Sequence, residues 1–120
     1  MTILLHPMLA TRDLPRPGIR RGDRMYHMLS DLPGKDGTEE LLAAARACGM
    51  PTRFIQYPGT YREHFDIHGP MVDILLGRGA RLATNREIGL LLRYRRALYA
   101  EIERGEEVEE SADDSSDDGG

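Results

Sequence analysis

Glycine and proline divide the first 105 residues into short apolar runs that alternate between strand-like and helix-like patterns. The strand-like runs are TILL, RMYHMLSD, TRFIQY, EHFDI and ARLA. Three helical patterns lie among and after them, beginning near residues 38, 70 and 85. Strands that alternate with helices favour an α/β layer with a small sheet. We therefore predict one small α/β domain over residues 1–105, with a short mixed sheet and three flanking helices.

Local signals mark the ends of these helices. Thr38 is a candidate N-cap, and Gly49 is a candidate C-terminal stop for the first helix. Pro70 suits the first position of the second helix. Thr84 and Glu87 have the spacing of a capping box before the third.

The formal net charge of −4 combines two regions of opposite sign. Residues 106–120 carry eight carboxylates and no basic side chain, so the first 105 residues sum to +4. This segment has almost no apolar side chain whose burial would offset the entropy of ordering. The composition therefore predicts a disordered acidic tail after a basic domain.

The cellular location is predicted from the scarcity of cysteine and from the lack of a signal-peptide pattern and of long apolar runs. Cys48 is the single cysteine, which favours a reducing compartment. The N-terminus lacks a basic signal-peptide region, and no apolar run approaches transmembrane length. We expect a cytoplasmic protein without membrane contact.

A glycine- and proline-rich segment at residues 12–24 predicts an arginine-bearing loop. Its arginines are Arg12, Arg16, Arg20, Arg21 and Arg24. Such a loop either contacts phosphate groups or lies in solvent. We take Arg20, Arg21 and Arg24 as candidate anion contacts.

The run EHFDIH brings together residue types that can do chemistry. In a strand, His64 and Asp66 project from one face, while Phe65 and Ile67 project from the other. The two polar residues are about 6.6 Å apart along the strand, whereas His68 is about 13 Å from His64. His68 therefore does not share a metal ion with His64 in an extended chain.

A third member of the site must come from elsewhere, and His27 on a neighbouring strand is the best candidate. These residues are consistent with a divalent metal held by His64 and Asp66, with an acid/base pair in which Asp66 orients His64 and His64 carries the proton, or with a surface histidine bonded to an aspartate. Tyr57 and Tyr61, in the loop before the strand, are candidates for stacking on a base or sugar.

The segments YHMLSD, TEELLAAARACGM, TRFIQ, HFD and GRGA resemble, in order and spacing, an uncharacterised family of short bacterial and phage proteins, the domain of unknown function DUF4031. Family members typically show a Ser-His-Leu-like stretch and a His-Tyr-Asp triplet. The resemblance places these motifs at His27 with Met28, and at His64 with Phe65 and Asp66. It implies positions of interest and no reaction.

This chain departs from the family pattern twice. Members begin with a strand ending in Tyr-Val-Asp-Asp, which this chain replaces with ILLHPML, so His6 or Asp13 would have to stand in for the acidic residues. Members also carry Lys-Arg shortly after the triplet, where this chain has Met71 and Val72.

Two functions are compatible with these observations. The first is a pocket of His27, His64 and Asp66 that binds, and could hydrolyse, a phosphate-bearing ligand such as a nucleotide or a nucleic-acid end. The alternative is a non-catalytic binding module that uses the basic last helix, with the acidic tail as modulator. Its arginines are Arg93, Arg95 and Arg96. Arg95 falls within the apolar stripe of that helix, and we expect its charged end to reach solvent. The alternatives are pairing with a core carboxylate such as Asp73 and contact with a partner.

Overall fold

The computed structural model describes residues 2–14 and 18–119, with side chains described as far as Arg104. Its four strands are β1 (Ile3–Leu9), β2 (Arg24–Ser30), β3 (Phe65–Ile67) and β4 (Arg81–Leu82). Its α-helices are α1 (Gly34–Cys48), α2 (Pro70–Gly77) and α3 (Asn85–Gly119), and a 3-10 helix spans Thr52–Phe54. The predicted α/β architecture is confirmed.

The four strands form one mixed sheet in the order β3-β2-β1-β4. Strand β2 is antiparallel to both β1 and β3, and β4 is parallel to β1. The alternation of side chains along the strands gives the sheet two different faces.

One face carries the main core. Leu5, Met28, Phe65 and Ile67 are each fully buried there. They pack against apolar side chains of the first two helices, namely Leu41, Ala44, Ala45, Cys48, Val72 and Leu75. Helices α1 and α2 therefore cover this face of the sheet, and other parts of the chain pack against the second face.

The second face carries two smaller apolar clusters. They are Leu4, Leu29, Ala83 and Ile88 in one, and Ala10, Ile19 and Met25 in the other. Between them the strand register places His6 opposite His27, and His27 opposite Asp66. A polar row thus crosses the middle of this face.

Several predicted helix ends match the structure. Gly49 ends α1 in the left-handed region at φ 86°, where glycine has no steric penalty. Pro70 is the first residue of α2. Before α3, the Thr84 amide donates to Glu87 at 3.2 Å and the Glu87 amide donates to the Thr84 hydroxyl at 3.1 Å. The predicted capping box is therefore formed.

The predicted start of α1 at Thr38 is wrong. The helix begins at Gly34, whose amide donates to the Tyr99 hydroxyl at 2.7 Å. Thr38 lies one turn inside the helix and donates to the carboxylate of Glu63 at 2.8 Å. The acceptor at the helix start comes from α3, so the sequence around residue 34 carries no local signal for it.

Two strand predictions also differ from the structure. Strand β1 continues through Pro7 to Leu9, because β4 pairs only with Leu4 and Leu5 and leaves no carbonyl opposite the missing amide of Pro7. The run TRFIQY contains a 3-10 helix, and Gln56 forms an isolated bridge with His64.

The prediction that the charged end of Arg95 reaches solvent is wrong. Its side chain is fully buried, and Nη2 donates to the Leu32 carbonyl at 2.9 Å. Helix α3 continues through residues 106–119, whose side chains are not described, and the predicted disorder of residues 106–120 stays a prediction. Among the described helices, none combines the length and apolar character needed to cross a bilayer.

Candidate functional site

His27, His64 and Asp66 come together on the second face of the sheet. His27 on β2 lies directly opposite Asp66 on β3, and His64 precedes Asp66 by two residues on the same face. Asp66 Oδ1 is 3.2 Å from Nε2 of His27 and 3.4 Å from Nε2 of His64. The two imidazole rings have centroids 4.3 Å apart. Two nitrogen atoms and one oxygen atom therefore converge on one point.

Asp66 is charged although it is buried, with only 8% of the residue exposed. Burial alone raises the pKa of a carboxyl group. Here the contacts with His27, then His64 and Gln56, outweigh burial and hold the pKa of Asp66 well below its usual range. The carboxylate therefore brings a negative charge to the site at any physiological pH.

The two oxygens of Asp66 have different surroundings. Oδ2 accepts a hydrogen bond from the side-chain amide of Gln56. Oδ1 is buried, and neither imidazole contact meets the geometry of a hydrogen bond. One oxygen is thus anchored, while the other points, without a hydrogen-bond partner among the described residues, towards both imidazole rings.

The backbone fixes which nitrogen of His64 carries a hydrogen. Nδ1 lies 2.6 Å from the carbonyl oxygen of Arg62. Because a carbonyl only accepts, Nδ1 must donate; Nε2 then carries a lone pair in the neutral ring and a hydrogen in the protonated ring. Nε2 is the nitrogen that faces the carboxylate. Asp66 is therefore not placed as the orienter of His64; the Arg62 carbonyl has that role.

A cavity of about 500 Å³ opens over this cluster. Its lining includes the three clustered side chains together with Gln56, Tyr57, Arg12 and Arg62. The guanidinium of Arg62 lies 4.1 Å from the centroid of the Tyr57 ring, and that ring is roughly parallel to His64 at 6.1 Å. Tyr57 thus connects an exposed cation to the buried cluster.

The remaining predicted ligand contacts lie elsewhere. Arg20, Arg21 and Arg24 are exposed and are not part of the lining of this cavity. Tyr61 lies beneath Arg96, at 6.0 Å, rather than in the cavity. Arg16 lies outside the described residues. The contacts predicted for these side chains stay predictions.

The other histidines and Asp13 have separate surroundings. His6 is one strand beyond His27, with ring centroids 6.3 Å apart, and its Nε2 contacts the amide oxygen of Asn85. Asp13 accepts from the Arg21 amide at 2.8 Å and so orders the loop. His68 lies outside the group of potential metal ligands, as its spacing predicted.

The sequence reasoning missed Arg62 and Gln56, and it did not single out Arg12 from the other loop arginines that it proposed as anion contacts. Arg62 has a usable signal, because residues 62, 64 and 66 alternate onto one face of an extended chain. Gln56 has none, since its contact depends on the bridge to His64 across a loop.

Comparison with known proteins bears on this site. Searches of the curated proteins and of the solved structures found no significant match. A family model described as "Protein of unknown function (DUF4031)" matches residues 13–95, which include all three clustered side chains and exclude β1. Since this match covers well over half of the chain, the protein belongs to the DUF4031 family.

Proposed function

We propose that the cavity over His27, His64 and Asp66 binds a phosphate-bearing ligand, either a nucleotide or the end of a nucleic acid. The observation that carries the proposal is the meeting of these three side chains under one cavity that also has two arginines, Arg12 and Arg62, in its lining. Membership of the family does not indicate a reaction. The proposal is therefore supported by the side chains that line the cavity.

The dimensions and charges of the cavity suit such a ligand. Small-molecule sites usually measure about 300–1,000 Å³, a range that includes this cavity. Arginine presents a planar fork of donors that fits two phosphate oxygens at once. Both arginines are exposed, so their donors are available to an incoming anion.

Tyr57 adds a surface on which a base can stack. It adopts φ 52°, in the left-handed region that a bulky non-glycine residue seldom occupies. The residue is 46% exposed and lines the cavity. A base would stack on this ring in place of the Arg62 guanidinium that lies over it.

The alternative, a binding module on the basic last helix, has less support. Arg95 is fully buried and cannot contact a partner. Arg93 and Arg96 are exposed, and Arg96 lies over Tyr61. The described residues of that helix gather no group of side chains comparable to the one under the cavity, so the cavity is the better supported site.

The proposal is tested by fluorescence anisotropy with a short single-stranded oligonucleotide that carries either a 5′-phosphate or a 5′-hydroxyl. We expect the phosphorylated form to bind more tightly. We expect Arg62→Gln to weaken its binding by about tenfold or more, as a lost hydrogen bond to a charged group would. Arg53→Gln is the matched control, because Arg53 is also exposed and stacked on an aromatic ring, Phe54, outside the cavity.

Equal affinity for both oligonucleotides, or an equal loss in the Arg53 and Arg62 variants, would contradict the proposal. Hydrolysis is followed in the same samples as release of inorganic phosphate. It needs no co-reactant, because water supplies the hydroxyl for phosphorus and the proton for the leaving alcohol.

A further inference from the structure

We propose that the point where Nε2 of His27, Nε2 of His64 and Oδ1 of Asp66 converge is a binding site for a divalent transition-metal ion, with Zn²⁺ as the best fit. This inference rests on the proposed function in one respect: the open side of the ion faces the cavity in which we place the phosphate.

The three atoms have the spacing of a tetrahedral site. A tetrahedral ion with bonds of about 2.0–2.1 Å separates neighbouring ligand atoms by about 3.3–3.4 Å. The two separations from Asp66 Oδ1 are 3.2 and 3.4 Å. All three ligand atoms lie within 4.8 Å of one another. To complete the tetrahedral set, the two imidazole nitrogens would have to lie about 3.3–3.4 Å from each other.

The lone pairs at this point also call for a cation. Because Nδ1 of His64 donates to a carbonyl, the neutral form of the ring directs its Nε2 lone pair at Oδ1 of Asp66. Two acceptors then face each other 3.4 Å apart, and Oδ1 of Asp66, whose side chain is about nine-tenths buried, has no hydrogen-bond partner among the described residues. A cation between them removes this repulsion. Unpartnered buried acceptors of this kind are rare without such a compensating group.

The outer contacts hold the ligands in the required orientation. Metal-bound imidazoles usually donate their other nitrogen to a carbonyl or carboxylate, as His64 does. Gln56 anchors the far oxygen of Asp66 and leaves Oδ1 directed at the site. Gln56 is itself held by two backbone hydrogen bonds with His64, of 2.9 and 3.1 Å. The ligands are therefore positioned by the fold without the ion.

The ligand types identify the class of ion. Two imidazole nitrogens and one carboxylate oxygen match the three-ligand sets of zinc sites that keep a position open. Magnesium prefers oxygen ligands and is poorly served by two nitrogens. The fourth position faces the cavity lined by Arg12 and Arg62, where a phosphate oxygen or a water molecule can approach.

The experiment uses full-length protein without an affinity tag, stripped with a chelator and then titrated with ZnCl₂ or CoCl₂. We expect one equivalent to bind, and the visible spectrum of the cobalt form to show a nitrogen- and oxygen-ligated site of low coordination number. His27→Ala, His64→Ala and Asp66→Asn are expected to lose more than about 100-fold in affinity. Gln56→Ala is expected to lose about 10–100-fold, the effect typical of outer-shell partners.

His68→Ala is the matched control, because His68 is partly buried beside β3 but lies outside the ligand group. Circular dichroism of each stripped variant confirms that it is folded before titration. If a variant does not fold, the cobalt spectrum of the wild type and of Gln56→Ala still decides the question. No binding by the wild type, or equal binding by wild type and all three ligand variants, overturns the inference.

The inference and the proposed function fail separately. Metal binding that is lost in the ligand variants, combined with no preference for a 5′-phosphate, supports the ion and overturns the phosphate ligand. Tight binding of the phosphorylated oligonucleotide by a protein that takes up neither zinc nor cobalt supports the phosphate ligand and overturns the ion.

Discussion

Gly37 lies inside α1, where glycine ordinarily destabilises a helix by about 1 kcal/mol relative to alanine. A steric constraint accounts for glycine at this position. A Cβ atom at this position would lie 2.0 Å from the carbonyl oxygen of Leu32 and 2.8 Å from its carbonyl carbon. That carbonyl also accepts the hydrogen bond from buried Arg95, so it cannot move away without cost.

We therefore predict that Gly37→Ala lowers the free energy of unfolding by about 2–3 kcal/mol, as overpacking against a fixed neighbour does. Gly89→Ala is the comparison, because Gly89 is exposed on α3 and a Cβ atom added there would meet nothing within 4 Å. It should raise stability by up to about 1 kcal/mol. Urea unfolding measures both, and a stabilising Gly37→Ala would refute the steric explanation.

The candidate site shows how far single residues can be predicted. Alternation along EHFDI places His64 and Asp66 on one face, opposite the fully buried Phe65 and Ile67. Strand periodicity is local, so the sequence reveals it. The position of His27 opposite Asp66 depends on the register of two strands joined through a helix, which the sequence could only suggest. Arg12 reaches the cavity through a loop conformation that no periodicity predicts.

At the scale of elements, the start of α3 combines a capping box with an ion pair. Arg81 on β4 donates to Glu87 at 2.7 Å, and both side chains are largely exposed. The hydrogen bond from Arg81, then that from the Thr84 amide, lowers the pKa of Glu87. A carboxyl group whose pKa is lower in the folded than in the unfolded protein stabilises the fold at pH values above its unfolded-state pKa. This stabilisation is lost as the pH falls through its folded-state pKa.

We predict that Glu87→Gln lowers stability at pH 7 and that the difference from wild type disappears as pH falls below the ordinary glutamate value of 4.5. Glutamine still completes a capping box, so this variant isolates the charge. Thr84→Ala should lower the free energy of unfolding by about 1 kcal/mol because it removes the cap itself. This difference from wild type should persist at low pH. Thermal unfolding across pH 3–7 checks both, and a constant difference for Glu87→Gln would contradict the ion-pair argument.

Elements with local signals were predictable from the sequence. The left-handed Gly49, the first-turn Pro70 and the Thr84–Glu87 box each act within a few residues, and each lies where it was expected. The start of α1 at Gly34 was missed because its acceptor is Tyr99, on a different helix. The length of β1 was missed because its pairing with β2 outweighs the break that Pro7 suggests.

At the scale of the whole molecule, the distribution of charge matters more than its sum. The 106–120 segment carries eight carboxylates, and without it the formal charge changes from −4 to +4. Charged groups separated by solvent interact over about 10 Å at 0.1 M salt and over shorter distances at higher salt. The acidic segment should therefore weaken the attraction between the basic domain and a nucleic acid, mainly at low salt.

Deleting residues 106–120 is expected to tighten binding of single-stranded DNA at low ionic strength, and the gain should shrink as salt rises. A full-length variant with the eight carboxylates changed to amides is the control, since it removes the charge and keeps the length. Anisotropy titrations at two salt concentrations measure the effect. Identical affinities of all three forms at low salt would contradict this role of the acidic segment.

Strand β3 is three residues long, lies at the end of the sheet and pairs with β2 alone. Detachment of β3, which would expose the fully buried Phe65 and Ile67, would also separate Asp66 from His27. A ligand held by both residues binds only the closed form and shifts the balance towards it. Slower amide hydrogen exchange at Phe65–Ile67 would then report occupancy of the pocket, because docking of the strand and binding form a single linked equilibrium.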